Sequence, residues 1–137
     1  MAGNIRLEIV TPSTDVVNEE AQIVMAPGSL GEFGVLEGHT PFMTALKTGD
    51  VRYTDAGGKE RHVFVSGGFA EALPDKVTVL AESAERRRAI DLDRAKTALT
   101  RAEKRLAEGA NTLDVIRAKG ALARARTRVE MAGGQGA

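Results

Sequence analysis

The chain of 137 residues has no cysteine and no tryptophan, and only two histidines. Without cysteine there is no disulfide framework and no thiolate metal site. With His39 and His62 as the sole imidazoles, a histidine-rich metal site is excluded. No apolar run approaches the roughly 20 residues that a membrane-spanning helix requires. The opening Met1-Ala2-Gly3-Asn4-Ile5-Arg6 has no basic segment followed by an apolar one. A secretion signal is therefore not expected, and a cytosolic setting is. Net charge is missing too, because 19 basic residues balance 19 acidic ones. A hydrophobic fraction of 42% is nevertheless enough for a packed core. The length fits one domain, or a small domain with an appendage.

The zero net charge hides a division. Residues 1–84 carry 6 basic and 12 acidic side chains, whereas residues 85–137 carry 13 basic and 7 acidic. All the aromatic residues (Phe33, Phe42, Tyr53, Phe64 and Phe69) fall in the first part. Two modules with different partners are expected, 1–84 and 85–137.

The first module reads as β. Ile5-Arg6-Leu7-Glu8-Ile9 alternates apolar and polar, as a strand with one face on a core does. Asp15 to Asn18 and Ala21 to Ala26 read as two short strands. Val51 to Thr54 and His62 to Val65 flank Asp55-Ala56-Gly57-Gly58, a hairpin signal because glycine supplies positive φ. Phe69 to Leu73 and Val77 to Leu80 follow, separated by Pro74-Asp75-Lys76. Short strands with frequent turns predict an antiparallel sandwich or barrel. The glycine- and proline-rich stretch from Pro27 to Pro41 reads as a pair of tight turns. It is no phosphate-binding P-loop, since no Gly-Lys-Ser/Thr ends it and no helix follows.

The second module reads as a helical hairpin. Leu92, Ala95, Leu99, Ala102 and Leu106 step by three and four, as do Val115, Ala118, Leu122, Ala125 and Val129. Gly109 suits the end of the first helix, and Asn111 or Thr112 can cap the second. So short a connection predicts antiparallel neighbours. Alanine buries little area, and Gly120 costs about 1 kcal/mol inside a helix, so the hairpin should be able to detach or extend. Leu113, Ile116, Gly120 and Ala123 form a second stripe, expected to face the β module. The tail from Gly133 to Ala137 is expected to be disordered.

Arg94, Arg101 and Arg105 recur on one helix and Arg117, Arg124 and Arg128 on the other. One reading is a pair of solvated basic faces with local partners, Asp91 for Arg94 and Asp114 for Arg117. The other is an anion site, because like charges four residues apart repel and guanidinium forks bind phosphate oxygens. No catalytic constellation is visible. His39 reads as a turn or contact residue, His62 as structural, and no carboxylate pair stands out for acid–base work.

Leu7-Glu8-Ile9-Val10-Thr11-Pro12 and the loop Gly31-Glu32-Phe33-Gly34-Val35-Leu36-Glu37-Gly38-His39-Thr40-Pro41 are followed in order by three further segments. These are Leu46-Lys47-Thr48-Gly49, Val65-Ser66-Gly67-Gly68-Phe69 and Val77-Thr78-Val79-Leu80-Ala81. In these motifs the sequence resembles the epsilon subunit family of the bacterial rotary proton-translocating ATP synthase. The resemblance implies a β-sandwich of about ten strands followed by two antiparallel helices. It implies a non-catalytic central-stalk subunit, with no cofactor required, that couples rotation of the membrane c-ring to ATP synthesis. The implied partners are the gamma subunit, the c-ring and the catalytic beta (and alpha) subunits. The beta and alpha contacts are made through the basic helices, which in many bacteria extend to block ATP hydrolysis. The implied location is peripheral, at the cytoplasmic face of the inner membrane, without membrane insertion. Ser29, Glu32 and His39 match the loop positions that contact the ring. Ile90-Asp91-Leu92-Asp93-Arg94-Ala95 matches the family's Ile/Leu-Asp-x-x-Arg-Ala motif for regulatory ATP. Glu85, Arg101, Arg124 and Arg128 match further positions of that site.

Two other classes compete. A small β-barrel with a basic helical tail could bind nucleic acid, but the β half is acidic and lacks an aromatic platform interleaved with basic residues. An enzyme using the glycine-rich loop would need a nucleophile or metal set that the sequence does not offer.

Overall fold

The computed structural model describes residues 3–109 and 111–134. Nine strands come first: β1 (Ile5–Val10), β2 (Asp15–Gly28), β3 (Gly31–Val35), β4 (Phe42–Ala45), β5 (Gly49–Asp55), β6 (Glu60–Ser66), β7 (Phe69–Leu73), β8 (Lys76–Leu80) and β9 (Ser83–Arg86). A 3-10 turn, Arg87–Ala89, leads to α1 (Leu92–Glu108) and α2 (Thr112–Ala132).

The strand order is β4-β7-β8-β1-β2-β5-β6-β9, with β3 added on β2. β2 joins the two layers. Its first half pairs with β1, and its second half pairs with β5 and β3. A register shift between Ala21 and Ile23 marks the changeover, and such a bulge turns a strand sharply enough to leave one sheet for another. The two short strands expected here are therefore one strand of 14 residues. All pairs are antiparallel except β1 with β8. The stretch expected as two turns does turn at Ser29-Leu30 and again at Glu37-Gly38, but β3 lies between the turns.

Alternation places Ile5, Leu7 and Ile9 against Val77, Val79, Ala70 and Ala72, with Val24, Val51, Tyr53, Val63 and Val65 from the other layer. Gly68 is required where β7 begins. Its φ is +108°, and a Cβ there would run into the Leu80 carbonyl.

β6 departs from alternation, because Val63, Phe64 and Val65 are all fully buried. Val63 and Val65 face the sandwich core, whereas Phe64 faces the helices in a satellite cluster with Ile90, Ala95 and Met131. Burying one such ring contributes about 1.5–3 kcal/mol.

Both helices start where their caps allow. The Asp91 carboxylate accepts the Arg94 amide at 3.0 Å, and the Asn111 side-chain oxygen accepts the Asp114 amide at 2.9 Å. Gly109, at φ +29°, closes α1. The seam buries Ala95, Ala102, Ala118 and Ala125. α2 runs unbroken through Gly120. The second stripe does not face the sandwich: Leu113 and Ile116 are exposed, and Met131 with Val129 and Ala132 makes the contact instead. Among the described residues, the α2 side chains packed with Phe64 of β6 come from its last turns. Gly133 and Gly134 follow directly on α2, while the rest of the tail expected to be disordered lies outside the described residues.

Candidate functional site

β9 carries the chain from sandwich to helices, and it is anchored from inside. Arg86 Nη1 donates to the Tyr53 hydroxyl at 3.0 Å, and Nη2 donates to Glu19 at 3.3 Å. Burial raises the Tyr53 phenol above its ordinary pKa, with Arg86 pulling the other way. Burial pulls Arg86 down, but its bonds to Tyr53 and Glu19 outweigh that and hold it above its usual range. Ser66 and Ser83 add a hydroxyl–hydroxyl bond of 2.7 Å across β6 and β9. The boundary expected after residue 84 thus falls within β9, whose pairing to β6 keeps Glu85 and Arg86 on the sandwich.

From that anchored strand opens a cleft of ≈ 600 Å³. Glu85 forms one wall, and Ile90 with Asp91 forms its entrance to α1. Arg94, Ala95 and Arg101 line it from α1, and Ala125 with Arg128 from α2. Seven of the eight expected nucleotide positions therefore converge: Glu85, Ile90, Asp91, Arg94, Ala95, Arg101 and Arg128. Arg124 does not line the cleft. It is exposed, and its terminal nitrogen lies beside Gly120 one turn back on α2.

The cleft combines apolar and charged walls. Ile90 and Ala95 are buried, whereas Arg94 and Arg101 are exposed. Arg128 Nε donates to Glu85 Oε1 at 2.6 Å. Asp91 spends one oxygen on the Arg94 amide. The expected side-chain pairs Asp91–Arg94 and Asp114–Arg117 do not form among the described residues, because both aspartates are engaged at helix starts.

The expected ring-contact residues lie elsewhere. Ser29 is exposed at the β2–β3 turn, where its amide donates to the Ala45 carbonyl at 2.9 Å. Glu32 on β3 pairs with Arg52 at 2.7 Å. The His39 ring packs edge-on against Phe42 at 5.0 Å, and Phe42 packs on Phe33 at 5.1 Å, which brings His39 back to the strand carrying Glu32. At the same turn Leu30 is 100% exposed. Sequence reasoning passed over it, since a lone leucine between Ser29 and Gly31 carries no periodic signal.

A second feature was also missed. The register sets Val10 beside Leu80, Leu80 beside Phe69, and Phe69 beside Ala45. This apolar row crosses four strands on the outer face. The signal was present in each strand but could be assembled only from the pairing.

Comparison with known proteins agrees with both parts of the chain. The family described as ATP synthase, Delta/Epsilon chain, beta-sandwich domain matches residues 4–87, and the long alpha-helix domain of the same chain type matches residues 88–133. An ATP synthase epsilon chain from Desulforapulum autotrophicum is 68% identical over 108 residues, 79% of this chain and 80% of that protein. One from Desulfosudis oleivorans is 63% identical over 109 residues, covering 80% and 82%. Among solved structures, a chain of the Euglena gracilis mitochondrial ATP synthase, OSCP/F1/c-ring, superposes with a TM-score of 0.80. It is 24% identical, with 90% of this chain and 78% of that chain covered, and so speaks to fold. The sandwich, the helical hairpin and these matches together show that the chain belongs to the ATP synthase delta/epsilon family.

Proposed function

We propose that the chain transmits rotation in the central stalk of a proton-translocating ATP synthase and regulates that enzyme through a nucleotide-responsive hairpin. It is a non-catalytic subunit of the rotor complex, so the nucleic-acid and stand-alone-enzyme readings are not favoured. The complex is membrane-associated, and no helix among the described residues is long and apolar enough to cross a membrane. A peripheral place on the cytoplasmic face of the inner membrane fits that arrangement.

Two surfaces suit two partners. The row of Val10, Leu80, Phe69 and Ala45, with Leu80 and Phe69 each 57% exposed, suits burial against the gamma subunit. Ser29, Leu30, Glu32 and His39 suit the loops of the c-ring. The basic helices suit an acidic segment on the catalytic beta and alpha subunits.

The observation that carries the regulatory reading is the convergence of Arg94, Arg101 and Arg128 on a cleft with apolar walls. The buried Ile90 and Ala95 leave room for a flat base, the second Asp91 oxygen can accept from an exocyclic amine, and guanidinium forks suit phosphate oxygens. A nucleotide whose base carries an exocyclic amine, such as ATP, fits all three. Calorimetric titration of the full chain with ATP should show saturable binding. Arg94→Ala and Arg101→Ala should each weaken it about tenfold, and Arg124→Ala by less. No saturable heat at millimolar ATP, or binding indifferent to these arginines, returns them to solvated helix faces. Complexes reconstituted with a chain lacking residues 88–137 should keep ATP synthesis and lose inhibition of hydrolysis.

A further inference from the structure

β6 and β9 lie side by side, and their register sets Phe64 directly opposite Glu85. Arg128 comes down over this pair from α2. Its Nε donates to Glu85 Oε1 at 2.6 Å, and its guanidinium carbon stands 4.2 Å from the centre of the fully buried Phe64 ring. The carboxylate fixes one edge of the guanidinium, and the ring face fixes its plane. Among the described residues, neither Nη1 nor Nη2 of Arg128 makes a hydrogen bond, and Arg128 lines the interhelical cleft.

We infer that Phe64 and Glu85 are positioning residues that together preset the two terminal nitrogens of Arg128 as a fork for the phosphoryl oxygens of a nucleotide. The inference rests on the reading of the cleft as a nucleotide site. An arginine free in solvent must be immobilised when a ligand arrives, and that ordering weakens binding. Here Arg128 is already ordered, on a face and an edge that the ligand does not need. Glu85 thereby acts through Arg128, by holding its Nε. Phe64 acts through the negative face of its ring, which a leucine of similar apolar character lacks.

The test uses the full chain and ATP as the probe, with two readouts. The first needs no ligand: the Arg128 Nε–Hε resonance should lie upfield in the wild type, shifted by the ring, and return toward the ordinary position in Phe64→Leu. The second is the ATP dissociation constant of the wild type, of Phe64→Leu, and of a chain with trifluorophenylalanine at position 64. The fluorinated ring keeps the shape and burial but loses the negative face. Both altered chains should bind ATP about three- to tenfold more weakly, with the fluorinated one still fully folded. Equal affinity in all three overturns the inference while leaving the cleft a nucleotide site. An upfield Arg128 signal with no saturable wild-type binding removes the cleft reading and, with it, the fork. In that case the cradle is only a clamp between α2 and the sandwich.

Discussion

Replacing Arg128 by alanine should loosen the hairpin from the sandwich, and the size of the effect follows from what Arg128 touches. Its ion pair with Glu85 is short at 2.6 Å, but the two side chains are 30% and 33% exposed, so solvent screens it. About 1 kcal/mol is a fair share for such a pair. Its contact with the buried Phe64 ring contributes about 1 kcal/mol more. Losing both shifts the docked-to-free ratio by about 2 kcal/mol, or roughly 30-fold. The apolar contacts of Ile90, Ala95 and Met131 around Phe64 remain. Because the chain has no cysteine, cysteines introduced at the exposed Lys59 and Lys119 would be the sole attachment points for a pair of spin labels. The wild type should give one narrow distance distribution, and Arg128→Ala a broad one with a long-distance component. An unchanged narrow distribution would refute the view that this arginine holds the hairpin down.

Three further outcomes are expected. A fragment of residues 1–87 should give well-dispersed amide spectra, whereas one ending at residue 84 should be less stable because it loses Glu85 and the Arg86 bonds to Tyr53 and Glu19. Gly68→Ala should lower stability by about 3 kcal/mol in urea unfolding, since the position combines positive φ with contact against the Leu80 backbone. The Asp55 carboxyl is held below its ordinary value of 3.8, first by the Lys59 amide and then by Arg61. A depressed folded-state pKa stabilises above the unfolded value and fades as pH falls through the folded one. The gap in Tm between wild type and Asp55→Ala should therefore be constant near neutrality and close below pH 3.8.

The features legible in the sequence are those set by neighbours in the chain. β1 was readable because one of its faces meets a core and the other meets water. The hairpin turn at Asp55–Gly58 was readable because glycine is needed there, with Gly58 at φ +89°. Both helices and the caps at Asn111 and Gly109 were readable because capping bonds span only a few residues. Part of the cleft was legible only through the family resemblance: Ile90, Asp91, Arg94 and Ala95 belong to one motif around the start of α1, whereas Ala125, brought in from α2, carried no such signal.

Tertiary structure decided the rest, because those features depend on partners far along the chain. β2 is one bent strand because β1 and β5 claim its two halves, and β3 is a strand only because β2 is there to pair with it. The apolar row from Val10 to Ala45 exists only once four registers are set. Arg124 and Arg128 are one turn apart and equivalent by spacing. Yet Arg128 meets Glu85 and Phe64, while Arg124 lies one turn farther from the sandwich and stays in solvent. Periodicity places a side chain on a face of its helix, but the packing of that helix against the sheet decides what the side chain touches.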